Sequence, residues 1–160
     1  MPPARKSRVT RVTDWFYLRM RHRAAWSSAT AQPVPAERGF ELLRGHKYCL
    51  LTTYRRNGEA VPTPVWFGLD GDGRLYFRSE EAAGKVRRIR ATPAVRVAPC
   101  DARGRPLGSP AEGRARILED EARAEAALAA NYGAGRRLYE RTGDLIGPPA
   151  VYVEVQAPRG

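Results

Sequence analysis

Histidine, cysteine and lysine are scarce in this chain. Its 160 residues include two His, two Cys and three Lys, the last at positions 6, 47 and 85. The two cysteines, Cys49 and Cys100, provide neither a disulfide framework nor a metal-binding spacing, and we expect both to be small core residues. The absence of G-x-S-x-G, H-E-x-x-H and C-x-x-C motifs argues against a serine hydrolase, a zinc protease and a dithiol oxidoreductase. If the protein is an enzyme, its reactive atoms are therefore expected to belong to a cofactor, and no catalytic side chain or metal site is predicted.

Long apolar runs are absent as well. No segment approaches the roughly 20 apolar residues that a membrane-spanning helix needs. The stretch "WFYLRM" near the basic N-terminus is too short and too interrupted for the apolar part of a signal peptide. We therefore expect a reducing, cytoplasmic setting.

Positive charge is abundant but unevenly distributed. The chain has 28 Lys and Arg against 17 Asp and Glu, a formal net charge of +11. Residues 1–34 hold seven of the basic residues and one acidic residue, Asp14, and so contribute +6, while residues 35–160 contribute +5. We therefore predict a flexible basic extension at 1–34 and a folded domain at 35–160. An anionic surface is the partner that such an extension would contact.

The basic segment admits other interpretations. Trp15, Leu18 and His22 would share one face of a helix, which is compatible with an interfacial helix. Alternatively, the native chain starts at Met20 or later. The net charge also raises the hypothesis of a nucleic-acid-binding module, but the modest excess in 35–160 and the lack of a recognised binding motif argue against nucleic acid as a partner.

From residue 36 onward the pattern predicts strands joined mostly by hairpins. Six strands are predicted, at 47–54, 59–69, 74–79, 94–100, 111–118 and 150–156. Helices are predicted at 36–46, 78–90 and 119–139, the last one broken near Gly133-Ala134-Gly135. Asn57-Gly58 predicts a type I′ hairpin turn. Together these elements favour a mainly β fold, a six-stranded antiparallel barrel with a few short helices.

Two prolines in the second predicted strand are unusual. Pro62 and Pro64 would remove two hydrogen-bond donors from the same side of the strand, which a central strand does not tolerate. The segment is therefore either a plain edge strand or the place where the barrel splits and a ligand lies along the gap. In the second case the N–H groups of Thr63 and Val65 would face the ligand, and Trp66 would wall a planar ring.

The stretch "RSEEAAGKVRRIR", 78–90, concentrates positive charge on a predicted helix. Ser79 is the expected N-cap, and Lys85 and Arg88 are i, i+3 neighbours on one face. Gly84 would let a ligand approach the backbone near the helix start, where N–H groups favour an anion. The residues alone leave two alternatives: a site for a compact phosphate, or a solvated basic helix face.

The order of these motifs resembles a known family. The segments "LTTYRRNG", "PTPVWF", "GKVRRIR" and "VRVAPCDARGRP" together resemble the pyridoxamine-phosphate-oxidase-like split β-barrels, and more narrowly their coenzyme F420-dependent oxidoreductase branch found in actinobacteria. The resemblance runs from about residue 37 to residue 118 and continues weakly to the final strand. It implies a six-stranded antiparallel split β-barrel that forms a homodimer, with the cofactor in a cleft at the subunit interface.

The resemblance also implies which residues bind the cofactor. The cofactor phosphate would be bound by Arg78, Ser79, Lys85 and Arg88. The deazaflavin ring would lie along Thr63, Pro64, Val65 and Trp66, with Thr53 across the hairpin. The anionic oligoglutamate tail of F420 could meet Arg55, Arg56 and Arg87. The implied activity is an F420H2-dependent reductase that transfers a hydride to a small electron-poor acceptor.

Several alternatives stay open at this point. FMN presents the same ribityl phosphate, so the basic helix does not separate it from F420. A third type of protein with this fold binds haem, but neither histidine is well placed as an axial ligand. A non-catalytic F420 carrier would need the same binding residues. The acceptor is equally open among quinones, nitroaromatics, enones and tetrapyrroles, and Tyr48, Tyr54 or solvent could supply a proton.

Overall fold

A computed structural model describes residues 20–36, 39–132 and 148–159. These ranges contain one antiparallel sheet of seven strands in the order β2-β1-β5-β6-β7-β4-β3. The strands are β1 Tyr48–Tyr54, β2 Ala60–Val65, β3 Gly68–Leu69, β4 Leu75–Glu80, β5 Ala94–Cys100, β6 Ala111–Ile117 and β7 Ala150–Gln156. The sheet curls into a half-barrel, so the expected mainly β split-barrel fold is confirmed.

The predicted strand 59–69 is not continuous, and this break explains the split. It forms β2 and β3, which lie at opposite edges of the sheet although only Trp66 and Phe67 separate them. Three peptide steps from Val65 to Gly68 cover at most about 11 Å, so the two edges must approach each other. The sheet therefore has to curl, and the gap between β2 and β3 is the split.

One face of the curled sheet forms the core. Because side chains alternate along a strand, every second residue points inward. The fully buried members include Leu51, Phe77, Val97 and Val153, one from each of four strands. Phe40, also fully buried, packs among them, and a Cβ on Gly113 would lie 3.0 Å from its ring, so glycine makes room for it in β6.

The helices are shorter than the sequence indicates. The predicted helix 36–46 is a single 3₁₀ turn, Glu41–Leu43, in which Leu43 is buried, as is the preceding Phe40. The predicted helix 78–90 is α1, Gly84–Ala91, and 119–139 is α2, Ala122–Tyr132. The expected break at 133–135 lies outside the described residues.

The predicted N-cap role of Ser79 is wrong. Ser79 belongs to β4, and its hydroxyl donates to the carbonyl of Glu80 at 3.2 Å. Pairing with β7 continues through Glu80, which draws residues 78–80 into the sheet before the helix can begin. The helix therefore starts after Ala83, whose side chain cannot accept a hydrogen bond.

The predicted type I′ turn is also wrong, although the hairpin it joins is confirmed. A type I′ turn needs two residues with positive φ, but only Gly58 has one (86°) and Asn57 does not. The N–H of Gly58 bonds to the carbonyl of Arg55, as in a type I turn followed by a left-handed glycine. Two other hairpins use the same loop, with Gly73 and Gly104 at the left-handed position.

Part of the predicted extension packs against the barrel. A 3₁₀ helix, Arg23–Ala29, covers the outer face of the β1–β5 pair, and Ala25 is fully buried against Leu50 and Ala98. The Arg96 guanidinium donates to the carbonyls of Ser28 and Ala31, at 3.1 and 2.8 Å. Residues 20–34, which were predicted to belong to a flexible extension, therefore pack against the folded domain. Residues 1–19 lie outside the described part of the chain.

Candidate functional site

Pro62 and Pro64 identify which side of β2 is its unpaired outer edge. In the ladder Pro62 lies opposite Thr52 and Pro64 lies opposite Leu50. Since proline has no N–H, these positions fit an antiparallel pair only where the backbone faces away from β1. The prediction of an edge strand is confirmed, because β2 is the terminal strand of the sheet.

This register overturns one expectation about the ligand. Thr63 lies opposite Leu51 and Val65 opposite Cys49, and alternation directs their backbone N–H groups toward β1. The expectation that these N–H groups face a ligand along the outer edge is therefore wrong. Between Ala60 and Trp66 that edge offers carbonyl oxygens and no N–H donor.

Arg88 and Thr53, two residues predicted for the cofactor site, contact each other directly. Arg88 Nε donates to Thr53 Oγ1 at 2.7 Å, and Thr53 is fully buried. A Cβ on Gly84 would lie 2.8 Å from Arg88 Nη1, so glycine leaves room for the guanidinium over the first turn of α1. The guanidinium and the uncapped first-turn N–H groups thus lie at the same end of the helix, an arrangement that suits an anion.

The other residues predicted to bind the cofactor are divided between the inner and the outer face of the sheet. Thr53 and Thr63 point to the barrel interior as diagonal neighbours of β1 and β2, a separation of roughly 7 Å. Ser79 points inward from the end of β4 and is buried. Arg78, its neighbour in the strand, points outward beside Tyr152 of β7. The structure therefore separates Arg78 from the threonine pair.

On α1 the basic residues differ in exposure. Lys85 and Arg88 are half-buried, whereas Arg87 and Arg90 are exposed. Arg90 also forms an ion pair with Glu81 at 3.4 Å. Val86 and Ile89, three residues apart on the same helix, are buried and form its apolar stripe.

The segment that joins β2 to β3 is held by the end of α2. The Trp66 ring stacks on the Tyr132 ring, with centroids 5.3 Å apart and an interplanar angle of 26°. The Tyr132 hydroxyl accepts the N–H of Phe67 at 2.8 Å and donates to the carbonyl of Lys47. The Asn131 amide donates to the carbonyl of Phe67 at 2.8 Å. Sequence reasoning missed this contact, because nothing in the spacing of Tyr132 links it to Trp66.

The two tyrosines considered as proton donors lie on the outer face of β1. Tyr48 and Tyr54 point outward, since they alternate with the inward-facing Thr53. Burial raises the pKa of the Cys49 thiol well above its usual range and that of Cys100 to about 12. Both thiols are buried, so the interpretation of the cysteines as core residues is confirmed.

A second polar cluster lies on the outer face of β4, β6 and β7. The buried Glu154 carboxylate accepts from Arg116 Nε at 2.8 Å and from Gln156 Nε2 at 2.6 Å. The Tyr76 hydroxyl lies 2.8 Å from Asp70 Oδ2 and 3.0 Å from Glu154 Oε2, and with one proton it donates to one of them at a time.

Beside this cluster is an open cavity of about 500 Å³, lined in part by Arg116, Arg123 and Glu154. Thr53 and Arg88 do not line it. The cavity is therefore separate from the predicted cofactor site.

Residues 20–36, 39–132 and 148–159 contain no group of three His, Cys, Asp or Glu residues that could hold a metal ion. No helix among those residues is long and apolar enough to cross a membrane. His22 caps the Arg23–Ala29 helix by accepting the N–H of Ala24, and His46 precedes β1, so neither lies beside Thr53.

Comparison with known protein families assigns the strands of the sheet to one family model. The family model described as pyridoxamine 5'-phosphate oxidase matches residues 36–153. No protein of curated function matches the chain in sequence. The family match covers every strand except the last residues of β7.

Three solved structures illustrate what the chain is similar to. A conserved hypothetical protein from Mycobacterium tuberculosis is 21% identical with a TM-score of 0.56, covering 74% of this chain and 78% of its own. HutZ, the haem storage protein of Vibrio cholerae, is 14% identical with a TM-score of 0.56, covering 75% and 87%. An F420 reductase is 27% identical with a TM-score of 0.49, covering 79% and 97%. Since the family model spans most of the chain and the fold agrees with it, the protein belongs to the pyridoxamine 5'-phosphate oxidase family of split β-barrels.

Proposed function

We propose that the protein is an F420H2-dependent reductase that transfers a hydride to a small electron-poor organic acceptor. The observation that carries this proposal is the Arg88–Thr53 contact over Gly84, beside the uncapped start of α1. These donors suit the phosphate of a ribityl-linked cofactor. Family membership and the motif resemblance support the choice of a redox cofactor, and the resemblance supports F420.

In this proposal the protein's residues bind the cofactor and orient its ring. Arg88, fixed by Thr53, and Lys85 bind the phosphate, and Ser79 adds a hydroxyl from the end of β4. Arg78 is a weaker candidate because it points outward from the same strand. Pro64, Val65 and Trp66 carry the ring along the open edge of β2. Bound F420H2 would supply the hydride, while the chain excludes water and aligns the acceptor.

We also propose that two copies of the chain complete the site as a homodimer. In one copy the outer edge of β2 has no strand partner among the described residues. A partner subunit beside that edge would cover the cofactor. Light scattering during size exclusion should give twice the monomer mass, and a strictly monomeric protein that still binds F420 would contradict this part.

Titration with F420 and, separately, with FMN tests the proposed function. We expect micromolar binding of F420, followed by fluorescence anisotropy of the cofactor, and weaker binding of FMN. The FMN alternative is supported instead if FMN binds at micromolar and F420 only at millimolar concentration. In that case protein from a flavin-rich host should be yellow.

Lys85→Ala tests the phosphate end. Loss of one charge-assisted contact should weaken F420 binding by roughly 1–3 kcal/mol. Arg87→Ala is the matched control, because Arg87 is exposed on the same helix. Equal F420 affinity for the wild type and Lys85→Ala would remove Lys85 from the site.

A further inference from the structure

Trp66 presents one aromatic surface to solvent while Tyr132 covers another. Its side chain is 42% exposed although it stacks on Tyr132 at 5.3 Å. An offset stack at this distance holds both rings in one orientation. The exposed part of the Trp66 side chain is therefore held in a fixed orientation.

Tyr132 is itself fixed at several points. Its hydroxyl bonds to the N–H of Phe67 and to the carbonyl of Lys47, and the Lys47 ammonium lies 5.5 Å from its ring centroid. Lys47 Nζ also donates to the carbonyl of Asn131 at 2.8 Å. Three segments, the start of β1, the β2–β3 connection and the end of α2, thus converge on one tyrosine.

The strand β2 connects this aromatic face to the proposed phosphate site. Val61, opposite Thr53, marks the phosphate end, and Trp66 follows the last residue of the strand. Five strand residues span roughly 17 Å. An elongated ligand with an anionic end and a planar ring can therefore follow the strand from Arg88 to Trp66.

We propose that Tyr132 is a positioning residue that holds Trp66 as the binding face for the tricyclic ring of the cofactor. This inference rests on the proposed function, since it assigns the ring end of the same site. The ring of Tyr132 supports binding through the stack, whereas its hydroxyl supports the fold through Phe67 and Lys47. The two roles predict different behaviour for different substitutions.

Lumiflavin, a tricyclic ring without ribityl or phosphate, is the probe, and its fluorescence anisotropy reports binding to the full chain. Trp66→Leu and Tyr132→Leu should each weaken lumiflavin binding at least about fivefold, the scale of a lost aromatic stack. Trp26→Leu is the matched control, because Trp26 is 41% exposed and lies on the N-terminal segment. Tyr132→Phe should bind lumiflavin within about twofold of wild type but melt at a lower temperature.

The outcomes separate this inference from the proposed function. Wild-type affinity for lumiflavin in Tyr132→Leu overturns the positioning role even when F420 binds normally. If that variant loses its circular dichroism spectrum, Tyr132→Phe decides: a loss as large as that of Trp66→Leu overturns the role of the stack. Lumiflavin binding that depends on Trp66 and Tyr132, without any F420 binding, supports the inference and overturns the proposed function. A wild type that binds neither probe overturns both.

Discussion

Thr53 and Thr52 are adjacent in β1 and fully buried, yet their hydroxyls have opposite surroundings. Thr53 Oγ1 accepts from Arg88 Nε at 2.7 Å. Thr52 Oγ1 has no hydrogen-bond partner among the described residues. Because successive strand residues point to opposite faces, only Thr53 reaches the interior and the proposed anion site.

Replacing each threonine with valine should therefore give different results. Thr53→Val leaves Arg88 without its acceptor, so we expect F420 affinity to fall and the free energy of unfolding to decrease by about 1 kcal/mol. Thr52→Val removes an unpaired buried hydroxyl and should leave both quantities unchanged or raise stability slightly. Isothermal titration and urea unfolding of both variants measure this difference. Equal F420 affinities for the two variants would contradict a role for Thr53.

At the scale of elements, α2 lies against the sheet at a glycine. A Cβ on Gly68 would overlap the backbone of Ala127 and Leu128. Backbone cannot move aside as a flexible side chain does. The two-residue strand β3 and the helix can therefore pack only if residue 68 lacks a side chain.

Gly68→Ala should consequently destabilise the protein by about 2–3 kcal/mol through overpacking. Gly71→Ala is the control, because a Cβ there meets nothing within 4 Å and its φ is not positive. Thermal melts followed by circular dichroism compare the two variants. Similar melting temperatures would show that α2 can shift away from β3 at little cost.

The polar cluster around Glu154 predicts a pH dependence of stability. Burial alone would raise the pKa of Glu154, but hydrogen bonds from Arg116, Gln156 and Tyr76 outweigh it and the pKa is lowered. A lowered carboxyl pKa contributes stability above the unfolded-state value of about 4.3, and this contribution is lost as pH falls through the folded-state pKa.

Glu154→Gln should therefore be less stable than wild type by about 1–3 kcal/mol at pH 7, since Arg116 then faces a neutral amide instead of a carboxylate. The difference should shrink as pH falls below the unfolded-state pKa of about 4.3 and through the lowered folded-state pKa of Glu154. Glu112→Gln is the control, at an exposed carboxylate of β6. Urea unfolding between pH 3 and pH 7 checks the prediction, and a constant difference over that range would rule out titration of Glu154 as its cause.

At the scale of the whole molecule, the N-terminal segment is part of the folded unit. Arg96 joins it to the sheet through the carbonyls of Ser28 and Ala31, and its side chain is only 17% exposed. The N–H of Val34 bonds to the carbonyl of Pro110, which fixes the end of the segment. The segment thus covers the outer face of β1 and β5 on one side of the barrel.

Arg96→Met should detach this segment from the sheet. Loss of charge-assisted bonds to two carbonyls should cost about 1.5–3 kcal/mol of stability and increase protease cleavage near residues 31–36. Arg114→Met, at an exposed arginine of β6, is the control. Limited proteolysis followed by mass spectrometry measures the effect. Cleavage at the same rate in both variants would show that the segment stays on the sheet without Arg96.

Much of the fold was predictable because local patterns determine it. The strand patterns predicted the segments that contain Leu51, Val97 and Val153, and Asn57-Gly58 predicted the hairpin between β1 and β2. The errors came where tertiary contacts outweigh local preference. Pairing of β4 with β7 kept Ser79 in a strand, and the end of α2 broke the predicted strand 59–69 at Trp66.

For the candidate site, the residue types and spacing of the sequence determined the split-barrel pattern, the proline edge and the basic face of α1. Tertiary structure alone decided that Arg88 contacts Thr53 and that Tyr132 stacks on Trp66. Spacing along the chain determines which face of its own element a residue occupies. Which faces meet depends on how the whole sheet curls, and a local sequence pattern does not carry that information.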